Sequence, residues 1–403
     1  MTGSADDYSF CANPLASKAA RYGPEQEEVL NAPAFDRARK TIESWPGYGL
    51  TPLVPLSGIA REAGVGALHY KDEASRFGLG SFKALGGAYA VWQVLLREAD
   101  RKGISSSDRE AFAQFAKTMT VCCATDGNHG RSVAWGAQTF GCNCVIFIHA
   151  TVSEGRKQAI EKYGARVVRC AGNYDDSVRE AQATADREGW IVVSDTSYEG
   201  YRDIPKDVMQ GYELMAAEAL EQWPEAAPPS HIFLQTGVGG MAAAVTAYFW
   251  RRFGSARPTI ILADPLKSAC WLETIRSGEP TAVEGDLDTL MAGLACGEIS
   301  DLAWTILKHS ADAVIGLSDE AAVDGMRLLA EGRYGDAPLV AGESAVAGLM
   351  ALMLVANDAG TRTALQLDET SRVLVFGTEG ATDPELYAQL VGRAPGEVAG
   401  GAA

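Results

Sequence analysis

From about residue 119 to residue 376, short apolar runs alternate with helical patterns, and that alternation restricts the chain to parallel sheets whose strands are joined by crossover helices. The runs that read as strands are residues 145–148, 166–169, 190–193, 231–235, 259–263, 312–315 and 372–376. Between two of them, residues 153–163 read as a helix, with Ser153 as the N-cap and Gly164 as the terminator. At 403 residues the chain exceeds what one hydrophobic core usually serves, so two domains are expected. There is no internal repeat. Residues 223–230, which contain Pro224, Pro228 and Pro229, read as a surface connection, and the Gly/Ala-rich residues from Gly396 read as a frayed tail.

Charge and composition remove several function classes. A formal net charge of -17 with no basic stripe would repel phosphate backbones, so no nucleic-acid partner is expected. The longest apolar stretches, residues 241–250 and 345–356, are too short to span a bilayer, so no membrane association is expected. Residues 1–8 lack the basic head and apolar run of a signal peptide, which points to a cytoplasmic protein. Several of the eight cysteines, such as Cys122 and Cys123, sit inside apolar runs and read as core residues. Cys142-Asn-Cys144 is the only close pair, and without histidines or further cysteines beside it no metal site is expected.

Three glycine-centred segments stand out against this frame. Gly78-Leu-Gly-Ser-Phe-Lys-Ala-Leu-Gly-Gly87 sets Lys83 at the start of an apolar-periodic helix. Thr125-Asp-Gly-Asn-His-Gly130 lies between the apolar run 119–124 and a helical pattern, and Gly237-Val-Gly-Gly240 lies between the strand 231–235 and another. Strand, glycine turn, helix aims unpaired N–H groups and the positive end of a helix dipole at an anion, and a phosphate suits it. The Gly237–Gly240 segment has neither a P-loop ending nor dinucleotide spacing, so ATP and NAD are poorly supported. A lone lysine is usually a solvated one. Lys83 beside two such turns is instead an amine able to condense with an aldehyde, as pyridoxal phosphate requires. Asp126, taken alone, reads equally as a helix cap or as a site carboxylate.

In this order the segments resemble the fold type II pyridoxal-phosphate enzymes, which include the threonine and serine dehydratases. Within that family the resemblance is closest to the diaminopropionate ammonia-lyases. It is carried by Lys71-Asp-Glu-Ala-Ser-Arg-Phe-Gly-Leu79 running into Phe82-Lys83, by Thr125–Gly130, and by Asp195-Thr-Ser-Tyr-Glu-Gly-Tyr201 and Met209-Gln-Gly-Tyr212. Met291-Ala-Gly-Leu-Ala-Cys-Gly-Glu298, Gly342-Glu-Ser344 and Thr378-Glu-Gly380 continue it, so it spans roughly residues 40–385.

The resemblance implies an α/β protein of two doubly wound domains with the cofactor in the cleft between them. It implies a large domain of residues 1–87 and 200–403 and a smaller inserted domain of residues 88–199. It also implies α,β-elimination of D- or L-2,3-diaminopropionate to pyruvate and two ammonia molecules, by a homodimer. Lys83, Asp126 and Asp195 would be catalytic, with Lys83 serving the L-isomer and Asp126 the D-isomer. Phe82, Lys83, Asn128, Gly237, Val238, Gly239, Gly240 and Thr378 would hold the cofactor, Thr378 through the ring nitrogen. Thr125, Asp126, Gly127, His129, Asp195, Glu343 and Ser344 would bind the amino-acid substrate.

Departures from the family pattern leave a second reading open. Asp264-Pro265 stands where Glu-Pro is usual, Gly377-Thr-Glu-Gly-Ala381 where Ser-Thr-Glu-Gly-Asp is usual, and Ala341-Gly-Glu-Ser-Ala345 where Ser-Gly-Glu-Ser-Gly is usual. Hydroxyls and a carboxylate are lost near the expected ring-nitrogen side. This favours elimination or β-replacement on another 3-substituted amino acid. A cofactor-binding protein without turnover is a third reading, disfavoured because every chemically needed residue is present. Cys270 and Cys296 are candidates to approach each other.

Overall fold

The computed structural model describes residues 8–125 and 127–400. The strands among them, in chain order, are β1 (Tyr8–Ala12), β2 (Leu53–Pro55), β3 (Ala67–Asp72), β4 (Thr120–Ala124), β5 (Asn143–Ile148), β6 (Arg166–Arg169), β7 (Ile191–Val192), β8 (His231–Gln235), β9 (Thr259–Pro265), β10 (Ala313–Leu317) and β11 (Arg372–Gly377). They form two separate sheets, one in each of two compact units.

The larger unit comprises the chain up to Asn31, Gly49–Ser81 and everything from Met215. Its seven strands run in the order β1-β10-β9-β8-β11-β3-β2. The strands from β10 to β3 are parallel, and the two edge strands are antiparallel to their neighbours. Every residue of β8 and β10 is buried, as parallel strands covered on both faces require. The edge strands β1 and β2 had no strong sequence signal and are only half buried, and β2 ends on Pro55, which cannot extend a ladder. The helix Ala347–Ala356 is apolar all round and is accordingly sunk among Phe233, Ile261, Ile315 and Val375.

The smaller unit comprises Ala32–Tyr48 and Phe82–Leu214, with four parallel strands in the order β6-β5-β4-β7. Cys122, Val145 and Phe147 face Ala181 and Ala185 of the helix Tyr174–Glu188 to form one layer of its core. Ser153 caps its helix as expected, accepting from the Arg156 N–H at 3.2 Å. This unit is wider than residues 88–199, for a packing reason. An added Cβ at Gly211 would stand 1.9 Å from the Leu85 carbonyl oxygen, so the helices Ala84–Arg101 and Asp203–Glu221 meet backbone to backbone. Trp45, just after the helix Ala32–Glu43, packs on Trp135 and Phe140, with ring centroids at 5.9 and 5.4 Å.

One expectation at the C-terminus is corrected. Of the residues from Gly396, those up to Gly400 are not frayed, because Pro395–Gly400 is helical and Val398 is fully buried in the larger unit's core, while residues 401–403 lie outside the described residues. Among the described residues no helix is long and apolar enough to cross a membrane. All eight cysteines are free thiols.

Candidate active site

In the smaller unit the reactive groups gather at the carboxyl ends of the adjacent strands β4 and β7. Lys83 is the residue before the helix Ala84–Arg101, and its Nζ donates to Asp195 Oδ2 at 2.6 Å. The amine also lies over two aromatic faces, 5.5 Å from the Phe82 centroid and 5.9 Å from that of Tyr212. Those rings pack together at 4.6 Å, so the amine emerges from an aromatic wall.

Asp195 follows β7 and is held by the chain around it. The Tyr201 hydroxyl donates to the Val192 carbonyl and accepts from the Ser194 N–H, both at 2.9 Å, which pins the chain at Val192 and Ser194 just before Asp195. Burial alone would raise the Asp195 carboxyl, but the Lys83 ammonium and the His129 ring outweigh it and keep the group well below the usual carboxylate range. Asp195 is therefore an anion at any working pH.

His129 is buried and bonds through Nε2 to the Val193 carbonyl at 2.7 Å. A carbonyl only accepts, so Nε2 carries the proton and Nδ1, 3.6 Å from Asp195 Oδ2, is the basic nitrogen of the neutral ring. Burial lowers the ring's proton affinity, Asp195 opposes it and Lys83 adds to it, with a net shift below the ordinary value.

Thr125 begins the turn between β4 and the helix Asn128–Phe140, and its Oγ1 accepts from the N–H groups of Gly127 and Gly130 at 3.0 and 3.1 Å. That clamps the turn against the helix start, where Asn128 is half-buried. Asp126 lies outside the described residues. The smaller unit thus brings together Phe82, Lys83, His129 and Asp195, with Thr125, Gly127 and Asn128 on the neighbouring turn.

The larger unit carries the second set, again at carboxyl ends of adjacent strands, here β8 and β11. The turn Gly237–Gly240 leads into the helix Gly240–Phe253. Among the described residues its N–H groups have no protein acceptor, whereas its first three carbonyls do have donors: Gly237 O takes Trp271 Nε1 at 3.0 Å, Val238 O takes the Ser300 N–H at 2.9 Å, and Gly239 O takes the Ala243 N–H at 2.9 Å. A row of unengaged N–H groups at a helix start fits a phosphate, so the residues present suit pyridoxal phosphate.

Thr378, buried just after β11, accepts from Gln235 Nε2 at 2.8 Å. With its oxygen so engaged, its own hydrogen remains to be donated, which suits a neutral partner for a ring nitrogen. Glu343 and Ser344 are also buried, but the Ser344 hydroxyl accepts from the Gly293 N–H at 3.1 Å and its N–H donates to Glu379 Oε1 at 3.2 Å. In this arrangement Ser344 braces the residues 291–298. Cys270 and Cys296 flank Gly237: the Cys270 Sγ lies 3.7 Å from its carbonyl oxygen, and an added Cβ on Gly237 would meet the Cys296 Sγ at 3.1 Å.

Sequence reasoning missed Tyr212, Gln235, Tyr201 and Trp271. Gln235 had a usable signal, a polar side chain closing an apolar strand. Tyr201 and Tyr212 lay inside quoted motifs with no role attached. Nothing near Trp271 distinguished it from a core aromatic.

A family model described as pyridoxal-phosphate dependent enzyme matches residues 44–376. Diaminopropionate ammonia-lyase of Salmonella typhimurium is 38% identical over 360 residues, covering 86% of this chain and 89% of that protein. The Escherichia coli K12 enzyme of the same name is 39% identical over 358 residues, covering 88% and 90%. The crystal structure of diaminopropionate ammonia lyase from Escherichia coli in complex with an aminoacrylate-PLP azomethine reaction intermediate superposes with a TM-score of 0.85 at 35% identity, over 95% of this chain and 96% of that one.

Proposed function

Since this chain belongs to the pyridoxal-phosphate dependent enzymes, we propose that it catalyses α,β-elimination of 2,3-diaminopropionate, taking up one water and releasing pyruvate and two ammonia molecules. When bound, the cofactor supplies an electron sink that acidifies the substrate's α-hydrogen. Lys83 would be its covalent anchor, Gly237, Val238, Gly239 and Gly240 would hold its phosphate, Asn128 its 3'-oxygen and Thr378 its ring nitrogen, with Phe82 beside the Lys83 amine. The single observation that carries the substrate is the ionised Asp195 carboxylate, 2.6 Å from the Lys83 amine. An anion fixed beside the reacting amine holds a second ammonium, which distinguishes this substrate from serine or threonine.

Lys83 then takes the α-proton of the L-isomer and Asp126 that of the D-isomer. The Cα–H and Cβ–N bonds break, the Cα–Cβ double bond forms, and the proton acquired by the base serves the departing amine. Thr125, Gly127 and His129 shape the turn that would receive the substrate carboxylate, and Glu343 and Ser344 are the substrate residues contributed by the larger unit. The reading extends to a cytoplasmic location and to a homodimer, and light scattering tests the second of these.

Pyruvate release is measured from each enantiomer, with Lys83→Ala as the control that loses both the visible absorption of the lysine-linked cofactor and all turnover. No pyruvate from either isomer rejects the substrate, and an unchanged spectrum in Lys83→Ala removes Lys83 from its role. The alternative, elimination or β-replacement on another 3-substituted amino acid, is favoured by Ala341, Ala345, Gly377 and Ala381, and a panel of such substrates with an added thiol nucleophile separates the two.

A further inference from the structure

Three peptide planes decide where the N–H groups of the turn Gly237–Gly240 point. In a planar trans peptide the C=O and the following N–H face opposite ways, so whatever grips a carbonyl also aims the next N–H. The Val238 carbonyl is gripped by the Ser300 N–H and the Gly239 carbonyl by the Ala243 N–H, each at 2.9 Å. Both grips are backbone and would survive any side-chain change at those positions. The Gly237 carbonyl is different, because its close donor is a side chain, Trp271 Nε1 at 3.0 Å, assisted only by the Cys270 thiol at 3.7 Å.

Trp271 is itself fixed. It lies in the first turn of the helix Cys270–Ser277, and the buried Asp264 carboxyl group near the end of β9 accepts from the N–H groups of Trp271 and Leu272 at 3.0 and 3.1 Å. The indole, with no exposed surface, closes under the turn so tightly that a Cβ added at Gly239 would stand 2.3 Å from Trp271 Cζ2. Gly239 also has φ +97°, a conformation that other L residues avoid. The glycine at that position is therefore required as much by the indole as by an anion.

We propose that Trp271 is a positioning residue for the cofactor phosphate: its N–H turns the Gly237–Val238 peptide so that the Val238 N–H is presented to the anion, and Asp264 holds Trp271 in place to do so. The inference rests on the reading of this turn as the phosphate site of a pyridoxal-phosphate enzyme. It makes the strength of phosphate binding depend on a side chain 34 residues away in sequence, acting through the Gly237 carbonyl.

The test is equilibrium titration of the cofactor-free protein with pyridoxal phosphate and, separately, with pyridoxal, following visible absorption, in the unsubstituted chain and in Trp271→Phe. Phenylalanine keeps most of the buried ring and deletes the N–H. The expected result is about a tenfold loss of pyridoxal-phosphate affinity, the worth of one such hydrogen bond, with pyridoxal affinity unchanged. Equal losses for the two ligands would mean that Trp271 serves packing alone, and no loss for either would mean that the turn orients itself; both overturn the inference. Should Trp271→Phe fail to fold, benzothienylalanine at position 271 preserves the ring shape with sulfur in place of N–H, and the same two outcomes apply. Absence of uptake by the unsubstituted chain would instead sink the family reading, and the inference with it.

Discussion

Glu218→Gln probes the most costly arrangement in the larger unit. Lys71, Glu73, Arg76 and Glu218 are all at or near zero exposure and form a neutral quartet. Lys71 Nζ donates at 2.8 Å each to Glu218 Oε2, Gln222 Oε1 and the Thr51 carbonyl, so all three of its hydrogens are used. Arg76 forks onto Glu73 at 2.8 and 2.8 Å and onto Glu218 at 2.9 and 2.6 Å. Burial alone would push the Glu218 carboxyl up, but Arg76 and Lys71 more than reverse that, and it is held below its ordinary value. Replacing Glu218 by glutamine removes one charge and leaves two buried cations facing one carboxylate. Breaking a buried pair in this way costs about 3–5 kcal/mol. In a unit of roughly 250 residues that lowers the unfolding midpoint by roughly 10 °C. Because the folded-state pKa is depressed, the difference between the two proteins is fully present above the unfolded value near pH 4.3 and disappears as pH falls through the folded one. Thermal and urea unfolding at pH 7 and in acid measure it, with Lys71→Met plus Glu218→Leu as the companion, which removes one charge of each sign and should recover most of the loss. A cost under about 1 kcal/mol for Glu218→Gln, or a companion no better than the single change, would refute the picture of a charged buried quartet.

Two further outcomes concern the smaller unit. Asp126→Asn should depress turnover of D-2,3-diaminopropionate far more than that of the L-isomer, measured as kcat/KM for each; equal losses would make it a binding group and not a base. Tyr201→Phe strips the hydroxyl that joins the Val192 carbonyl to the Ser194 N–H, costs about 1–3 kcal/mol of stability, and should lower kcat about tenfold while leaving cofactor absorption intact. Loss of the absorption along with kcat would show that Tyr201 supports more than Asp195.

The periodic signals were legible because they follow from burial on both faces. Strands β8, β9 and β11 fall where continuous apolar runs placed them, and the glycine turns at Thr125 and Gly237 do interrupt strand and helix as expected. The edge strand β1 was not legible, since half-exposed strands carry mixed residues, nor was the width of the smaller unit, which depends on how Gly211 meets Leu85 and Trp45 meets Trp135. Among site residues, Lys83 and Asp195 could be named from motifs, and their 2.6 Å contact joins residues 112 apart that only the sheet brings together. The segment Lys71–Leu79 was legible as a pattern without a cause. Its cause is the buried quartet, in which Glu218, set between Ala217 and Ala219 on the helix Asp203–Glu221, is the hidden partner.

The departures from the family pattern can now be assigned physical content. Gly377 cannot be serine in this chain, because an added Cβ there would lie 2.1 Å from the Tyr70 hydroxyl, and Tyr70 is fully buried against the end of β11. Tyr70 and glycine at 377 are therefore one paired choice, and restoring the hydroxyl at 377 requires a smaller residue at 70. Ala341 and Ala345 are both buried beside Gly342, whose Cβ would meet the Gly380 carbonyl at 2.6 Å, so this wall is tight and apolar. With the family's usual hydroxyls absent at positions 341 and 377, Thr378 is the hydroxyl proposed for the ring nitrogen, and its orientation is set by Gln235. Gln235 Nε2 is shared between Thr378 Oγ1 and the Phe376 carbonyl, each at 2.8 Å, so the amide cannot turn to offer its oxygen without orphaning a buried backbone carbonyl. The threonine is thereby held as donor. A hydroxyl donor there would leave the ring nitrogen of a bound cofactor unprotonated, a weaker electron sink that would suit elimination better than transamination. In the proposed reading the lost hydroxyls bear on the reaction type, and the carboxylates at positions 126 and 195 are the groups that would select the substrate.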